Sequence, residues 1–127
     1  MKFLARAVLG VSLMLASLAV LAGEMPFKQK TFDDLRAAGS PVVVDVHAPW
    51  CPVCKKQDGI VNALLEEKQF KNLTVLVVDF DTEKDVMKSF NVSYRSTFVV
   101  FKGPNEVGRS TGDTQQDSIA ALFLKAL

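Results

Sequence analysis

From residue 23 onward, the apolar and polar positions alternate between helix and strand signatures. Thr31-Phe32-Asp33-Asp34-Leu35-Arg36-Ala37-Ala38-Gly39 offers a capping threonine, acids in a first turn and a closing glycine, which predicts a short helix. Pro41-Val42-Val43-Val44-Asp45-Val46 is a continuous β-branched run, the pattern of a strand covered on both faces. Cys51 to Lys68 reads as a helix carrying Ile60, Leu64 and Leu65 on its apolar side, and Leu73 to Phe80 reads as a second buried strand. Glu83 to Phe90 predicts a short helix, and Thr97 to Phe101 a third strand. A turn at Lys102-Gly103-Pro104-Asn105 then leads to a fourth strand over Glu106 to Ser110. Ile119, Leu122, Phe123 and Ala126 fall at i, i+3, i+4 and i+7 on a last helix that Asp113 or Thr114 can cap. With a weak strand near Phe27, the order αβαβαββα predicts an α/β fold whose mixed central sheet is flanked by helices.

The first 22 residues follow a different pattern. Lys2 and Arg6 precede an apolar run from Ala7 to Leu21, and Val20 and Ala22 are the small residues that a signal peptidase reads. This predicts a secretory signal peptide over 1–22 rather than a permanent membrane anchor, because the run is short for a span of about 20 residues. Glu24 stands where a lipid-bearing cysteine would be needed for a lipoprotein. The remaining segment, 23–127, is then one domain, exported in the bacterial manner to the periplasm and free of the membrane after cleavage. The whole chain of 127 residues carries 15 Lys+Arg against 14 Asp+Glu. Losing Lys2 and Arg6 leaves the domain slightly acidic, so it has no basic surplus with which to bind nucleic acid.

Two cysteines, Cys51 and Cys54, follow a buried strand and open a helix. A helix N-terminus presents unpaired N–H groups and partial positive charge, which favour a thiolate at Cys51. Cys54 lies one turn further in, within reach of a mixed disulfide formed on Cys51, and Pro52 suits the first helical turn. Zinc ordinarily takes four ligands, whereas the chain offers one CxxC and a single histidine, His47, so no metal is expected. Cys51 and Cys54 are expected to form a redox-active disulfide rather than a static one, because so small a loop restrains little chain entropy. Asp45, inside a valine run, is costly if charged, and burial would raise its pKa toward the range useful for proton transfer. His47 reads as an ordinary strand-end histidine, with tuning of the thiolate or metal ligation as alternatives. Trp50 reads as an exposed rim aromatic that contacts substrate. The acidic stretch Asp79 to Asp85 lacks the glycine and distal glutamate of a calcium loop and is expected to be a solvated loop with a helix cap.

Val42 through Lys55, with its Asp45, Trp50 and Cys51-Pro52-Val53-Cys54, resembles the thioredoxin superfamily, as do Phe90-Asn91-Val92 and Thr97-Phe98-Val99-Val100-Phe101-Lys102-Gly103. The similarity covers nearly all of 23–127 and implies a thioredoxin fold and thiol–disulfide exchange. It implies Asp45 as proton acceptor for Cys54, and a substrate-docking edge at Arg95 and Ser96 beside the cysteines. Where that superfamily carries a cis-proline, this chain has Ser96. A cis bond there costs about 3–4 kcal/mol without proline, so a trans Arg95–Ser96 bond is expected, with a hydroxyl beside the sulfurs. His47 replaces a large aromatic residue.

The expected function is that of a monomeric, cofactor-free, exported oxidoreductase acting on protein disulfides. Pro52-Val53 adds no ionisable group to stabilise the thiolate, which favours a reductant or intermediate donor recharged by a membrane thiol transporter. The alternatives are a periplasmic disulfide oxidase or isomerase, and a metal-binding or metal-delivery module built on the CxxC.

Overall fold

The computed structural model describes residue 10 and residues 22–127. The signal peptide expected over 1–22 lies almost wholly outside the described residues. The elements run β1 (Gly23–Pro26), α1 (Gln29–Ala37), β2 (Pro41–His47), α2 (Pro52–Leu65), β3 (Thr74–Asp79), α3 (Lys84–Ser89), β4 (Thr97–Lys102), β5 (Asn105–Thr111) and α4 (Gln116–Leu124). The five strands form one sheet in the order β1-β3-β2-β4-β5. β1 and β2 lie parallel to β3, while β2–β4 and β4–β5 are antiparallel. The sheet is therefore mixed, as expected, and the weak strand near Phe27 is β1, ending one residue earlier.

β2 is central and buried on both faces because its side chains alternate between two cores. Val42, Val44 and Val46 pack with Phe32, Leu35, Met87 and Phe101. Val43 packs on the opposite face with Val61, Leu64, Phe98, Ile119 and Phe123. Phe98 and Phe123 are fully buried and meet edge-on with ring centroids 5.3 Å apart. Phe98→Ala is expected to cost about 3–5 kcal/mol, read as a lower denaturation midpoint in urea; a loss under 1 kcal/mol would contradict this packing.

Three boundaries differ from the sequence reading. α1 begins at Gln29, with Lys28 as its N-cap, so Thr31 lies inside the first turn and caps nothing. The acids expected to open the helix instead pair backwards by one turn, Asp33 with Gln29 Nε2 at 3.0 Å and Asp34 with Lys30 Nζ at 2.7 Å. α2 ends at Leu65, and a separate 3-10 turn, Lys68–Phe70, turns Phe70 into the core. The buried residues of α2 are Cys54, Gln57, Val61 and Leu64, a stripe rotated from the one expected. At α4 the N-cap is Gln115, but Asp113 Oδ1 accepts the Gln115 N–H at 2.9 Å and so supports that end.

Candidate functional site

The strand–turn–helix junction places the cysteines where the sequence puts them. Cys51 is the N-cap of α2, Pro52 occupies the first turn, and the Cys54 N–H donates to Cys51 Sγ at 3.3 Å. Both cysteines are free and buried. Ser96 comes from the segment before β4, and its Oγ stands 3.3 Å from Cys51 Sγ and 3.1 Å from Cys54 Sγ. One hydroxyl has one proton to give. With Cys51 ionised, the Ser96 O–H donates to that thiolate while the Cys54 thiol donates to Ser96 Oγ.

This chain splits the two thiols. Burial pushes Cys51 up, but the hydrogen bonds from Ser96 and from the Cys54 backbone N–H, with the neighbouring Cys54 side chain and the Arg95 guanidinium adding to them, outweigh it and bring its pKa down to about 6. Burial dominates at Cys54 and holds its pKa above the ordinary thiol value. The lower thiol is thus the one at the helix start.

Ser96 holds its place by strain and hydrogen bonding together. The Arg95–Ser96 bond is trans, and Ser96 adopts φ = +59°, a left-handed conformation costing roughly 1–2 kcal/mol for a residue with a Cβ. Its N–H donates to Val46 O at 2.7 Å, and its carbonyl accepts the Gly112 N–H at 2.8 Å and Gln57 Nε2 at 3.2 Å. Gln57 Nε2 also donates to Asp113 O at 2.9 Å. The sequence reading missed Gln57, although it is the one polar side chain on the buried stripe of α2. Gly112, at φ = +74°, gives Ser96 its N–H from a backbone conformation that favours glycine.

Asp45 is 2% exposed and lies on the face of β2 that α2 covers, two residues from Val43. Its Oδ1 has no hydrogen-bond partner. Burial raises its pKa to about 7, with neighbouring Asp58 and Glu24 raising it further and His47 opposing them. No hydrogen bond joins Asp45 to Cys54. His47 Nε2 pairs with Asp58 Oδ2 at 3.0 Å, across from β2 to α2. That ties His47 to Asp58, a partner the sequence did not reveal, while Cys51 draws its hydrogen bonds from other residues. Among the described residues, no three His, Cys, Asp or Glu side chains group so as to hold a metal ion. Asp79 Oδ1 accepts the N–H of Asp81 at 2.8 Å and of Thr82 at 3.3 Å, so the acidic stretch is a hydrogen-bonded turn. The α3 N-cap, Glu83, makes no capping bond of its own; its Oε1 accepts the Asp79 N–H at 3.0 Å.

The rim of the site is aromatic and cationic. Trp50 is 54% exposed, with its Nε1 donating to Asp81 Oδ2 at 2.8 Å. The Arg95 guanidinium carbon lies 4.7 Å from the Trp50 ring and 4.7 Å from the Tyr94 ring. Sequence reasoning passed over Tyr94, which shows no periodic signal. Trp50 and Arg95 stack at this rim, and Ser96, next to Arg95 in the chain, touches both sulfurs.

A mixed sheet with a split-pKa dithiol at the N-terminus of a helix defines a thiol–disulfide exchange domain. The sequence model of the thioredoxin family matches residues 24–125, and the chain belongs to that family. It is a thiol–disulfide oxidoreductase with Cys51 and Cys54 as its Cys-X-X-Cys pair. The thioredoxin of Chlamydia trachomatis serovar D is 35% identical over 97 residues, which cover 76% of this chain and 92% of that protein. The protein disulfide-isomerase of Aspergillus niger is 26% identical over 92% of this chain but only 23% of its own length. The crystal structure of Trxlp from Edwardsiella tarda EIB202 superposes with a TM-score of 0.77 at 36% identity, covering 80% of this chain and 98% of that one.

Proposed function

We propose that the protein is an exported, monomeric electron donor that reduces disulfides of periplasmic proteins and is recharged by a membrane thiol transporter. The observation that carries this reading is the split between Cys51, brought down to about 6, and Cys54, held above the ordinary thiol value. Pro52-Val53 adds no ionisable group to stabilise the Cys51 thiolate further, which favours the reducing end of the range. Export rests on the pattern of residues 1–22, and β1 begins at Gly23, immediately after the expected cleavage point.

The Cys51 thiolate attacks one sulfur of a substrate disulfide, whose other sulfur leaves as thiolate and takes up a proton. Cys54 then loses its proton and attacks Cys51 Sγ, expelling the second substrate thiol and closing the Cys51–Cys54 disulfide. The substrate gains two electrons and the protein loses two. Asp45 is the acceptor for the Cys54 proton, because a buried carboxyl near 7 is balanced to take and release one at neutral pH. Trp50, Arg95 and Ser96 form the docking edge.

Alkylation rates across pH test the nucleophile. Cys51 is expected to react with a midpoint near its pKa of about 6, well ahead of Cys54, and Cys54→Ser should trap substrate proteins on Cys51. Equal rates at the two thiols would overturn the assignment. Equilibration with glutathione tests direction: a potential near the thioredoxin value of about −270 mV supports a donor, and one near −120 mV an oxidase.

A further inference from the structure

We propose that the Trp50–Arg95–Tyr94 stack is a carboxylate-recognition site, selecting disulfides whose flanking residues are acidic. The inference rests on the exchange reaction proposed above and adds the chemistry of the substrate it prefers.

The stack is built to present one cation. Trp50 and Tyr94 are 54% and 50% exposed, and both rings hold the same guanidinium at 4.7 Å. A guanidinium held between two rings has its rotamer restricted before any ligand arrives, so less freedom is lost on binding. Among the described residues the ion pairs join Lys30 to Asp34, His47 to Asp58 and Arg109 to Glu106, and none includes Arg95. Arg95 Nε is covered and has no hydrogen-bond partner. Asp81, the acid nearest this rim by its bonding, is engaged with the Trp50 indole instead.

The anion Arg95 does serve is the Cys51 thiolate, whose pKa its guanidinium helps to lower. That anion is consumed in the reaction. When Cys51 forms the mixed disulfide, its negative charge moves to the departing substrate thiolate, and Arg95 is left beside a neutral sulfur. Cys51 is also only 1% exposed, so its covering side chains must part for attack. A carboxylate next to the substrate half-cystine offers Arg95 a replacement anion as it leaves the sulfur, in the paired N–H···O geometry that guanidinium and carboxylate favour. Such a contact is absent in the free enzyme and grows along the path to the mixed disulfide, so it raises the rate of the step itself.

The test uses the reduced full chain and three disulfide peptides identical except for Glu, Gln or Lys beside the half-cystine, with hydroxyethyl disulfide as an uncharged reference. At low ionic strength the Glu peptide is expected to react about tenfold faster than the Gln peptide, the Lys peptide slowest, with the spread shrinking in 1 M salt. Arg95→Met should bring the Glu/Gln ratio to about one, and Arg95→Lys should keep part of it. Loss of thiolate stabilisation slows every substrate alike, hydroxyethyl disulfide included, so it leaves the ratio untouched. A wild-type ratio near one, or a ratio that survives Arg95→Met in a variant whose Cys51 still alkylates before Cys54, overturns the proposal while leaving the exchange reaction standing. If no disulfide in the set is reduced, the exchange reading fails and this inference fails with it.

Discussion

Asp45→Asn is expected to stabilise the protein by several kcal/mol at pH 8 and by almost nothing at pH 4, while slowing its turnover. Burial, with Asp58 and Glu24 adding to it, moves this carboxyl from 3.8 to about 7. Below about pH 4 it is protonated in both the folded and the unfolded chain, and the native state bears no penalty. Between pH 4 and 7 the unfolded chain gives up the proton and the folded one keeps it, so stability falls as pH rises. Above 7 the folded state holds a buried carboxylate, and the full loss, at most about 4 kcal/mol, is present. Asparagine removes the charge and keeps the shape. Urea denaturation at the two pH values checks this; an equal effect at both would mean that Asp45 titrates normally. Steady-state reduction of a protein disulfide checks the other half. Turnover should drop about a hundredfold, at the lower end of what a positioned base contributes, with attack by Cys51 unchanged in a single-turnover measurement.

Much of this architecture can be read in the chain because local and tertiary demands agree. The valines of 41–46 leave only a doubly buried strand, and Pro52 after Cys51 marks a helix start whose N-cap is the cysteine itself. The buried aspartate is visible for the same reason, as one acid in an apolar run. Thr31 misleads because Gln29 and Lys30 pair with Asp33 and Asp34 and carry the helix two residues past the apparent cap. The partners of the site are harder to read. His47 meets Asp58 from another element, and Gln57 reaches Ser96 O and Asp113 O across long stretches of chain. Ser96 itself is conspicuous only as a missing proline. Its left-handed backbone is enforced by Val46, Gly112 and Gln57 together, and no local propensity of serine encodes that.

Ser96→Ala should therefore be the most informative change at the site. Alanine keeps the Cβ and the left-handed strain and removes only the hydroxyl that touches both sulfurs at 3.3 and 3.1 Å. The Cys51 thiolate loses its leading hydrogen-bond donor, so its alkylation midpoint is expected to rise by about one pH unit. That bond exists only while Cys51 is reduced. Its loss destabilises the dithiol relative to the disulfide by about 1.4 kcal/mol, moving the potential about 30 mV more negative. Ser96→Gly separates chemistry from strain, since it removes the same hydroxyl and also relieves φ = +59°. Both variants should show the same alkylation midpoint and potential, and the glycine variant should be more stable than the alanine one by roughly 1 kcal/mol. A Cys51 midpoint that stays near 6 in both would assign the low thiol pKa to the helix N-terminus and Arg95 rather than to the serine.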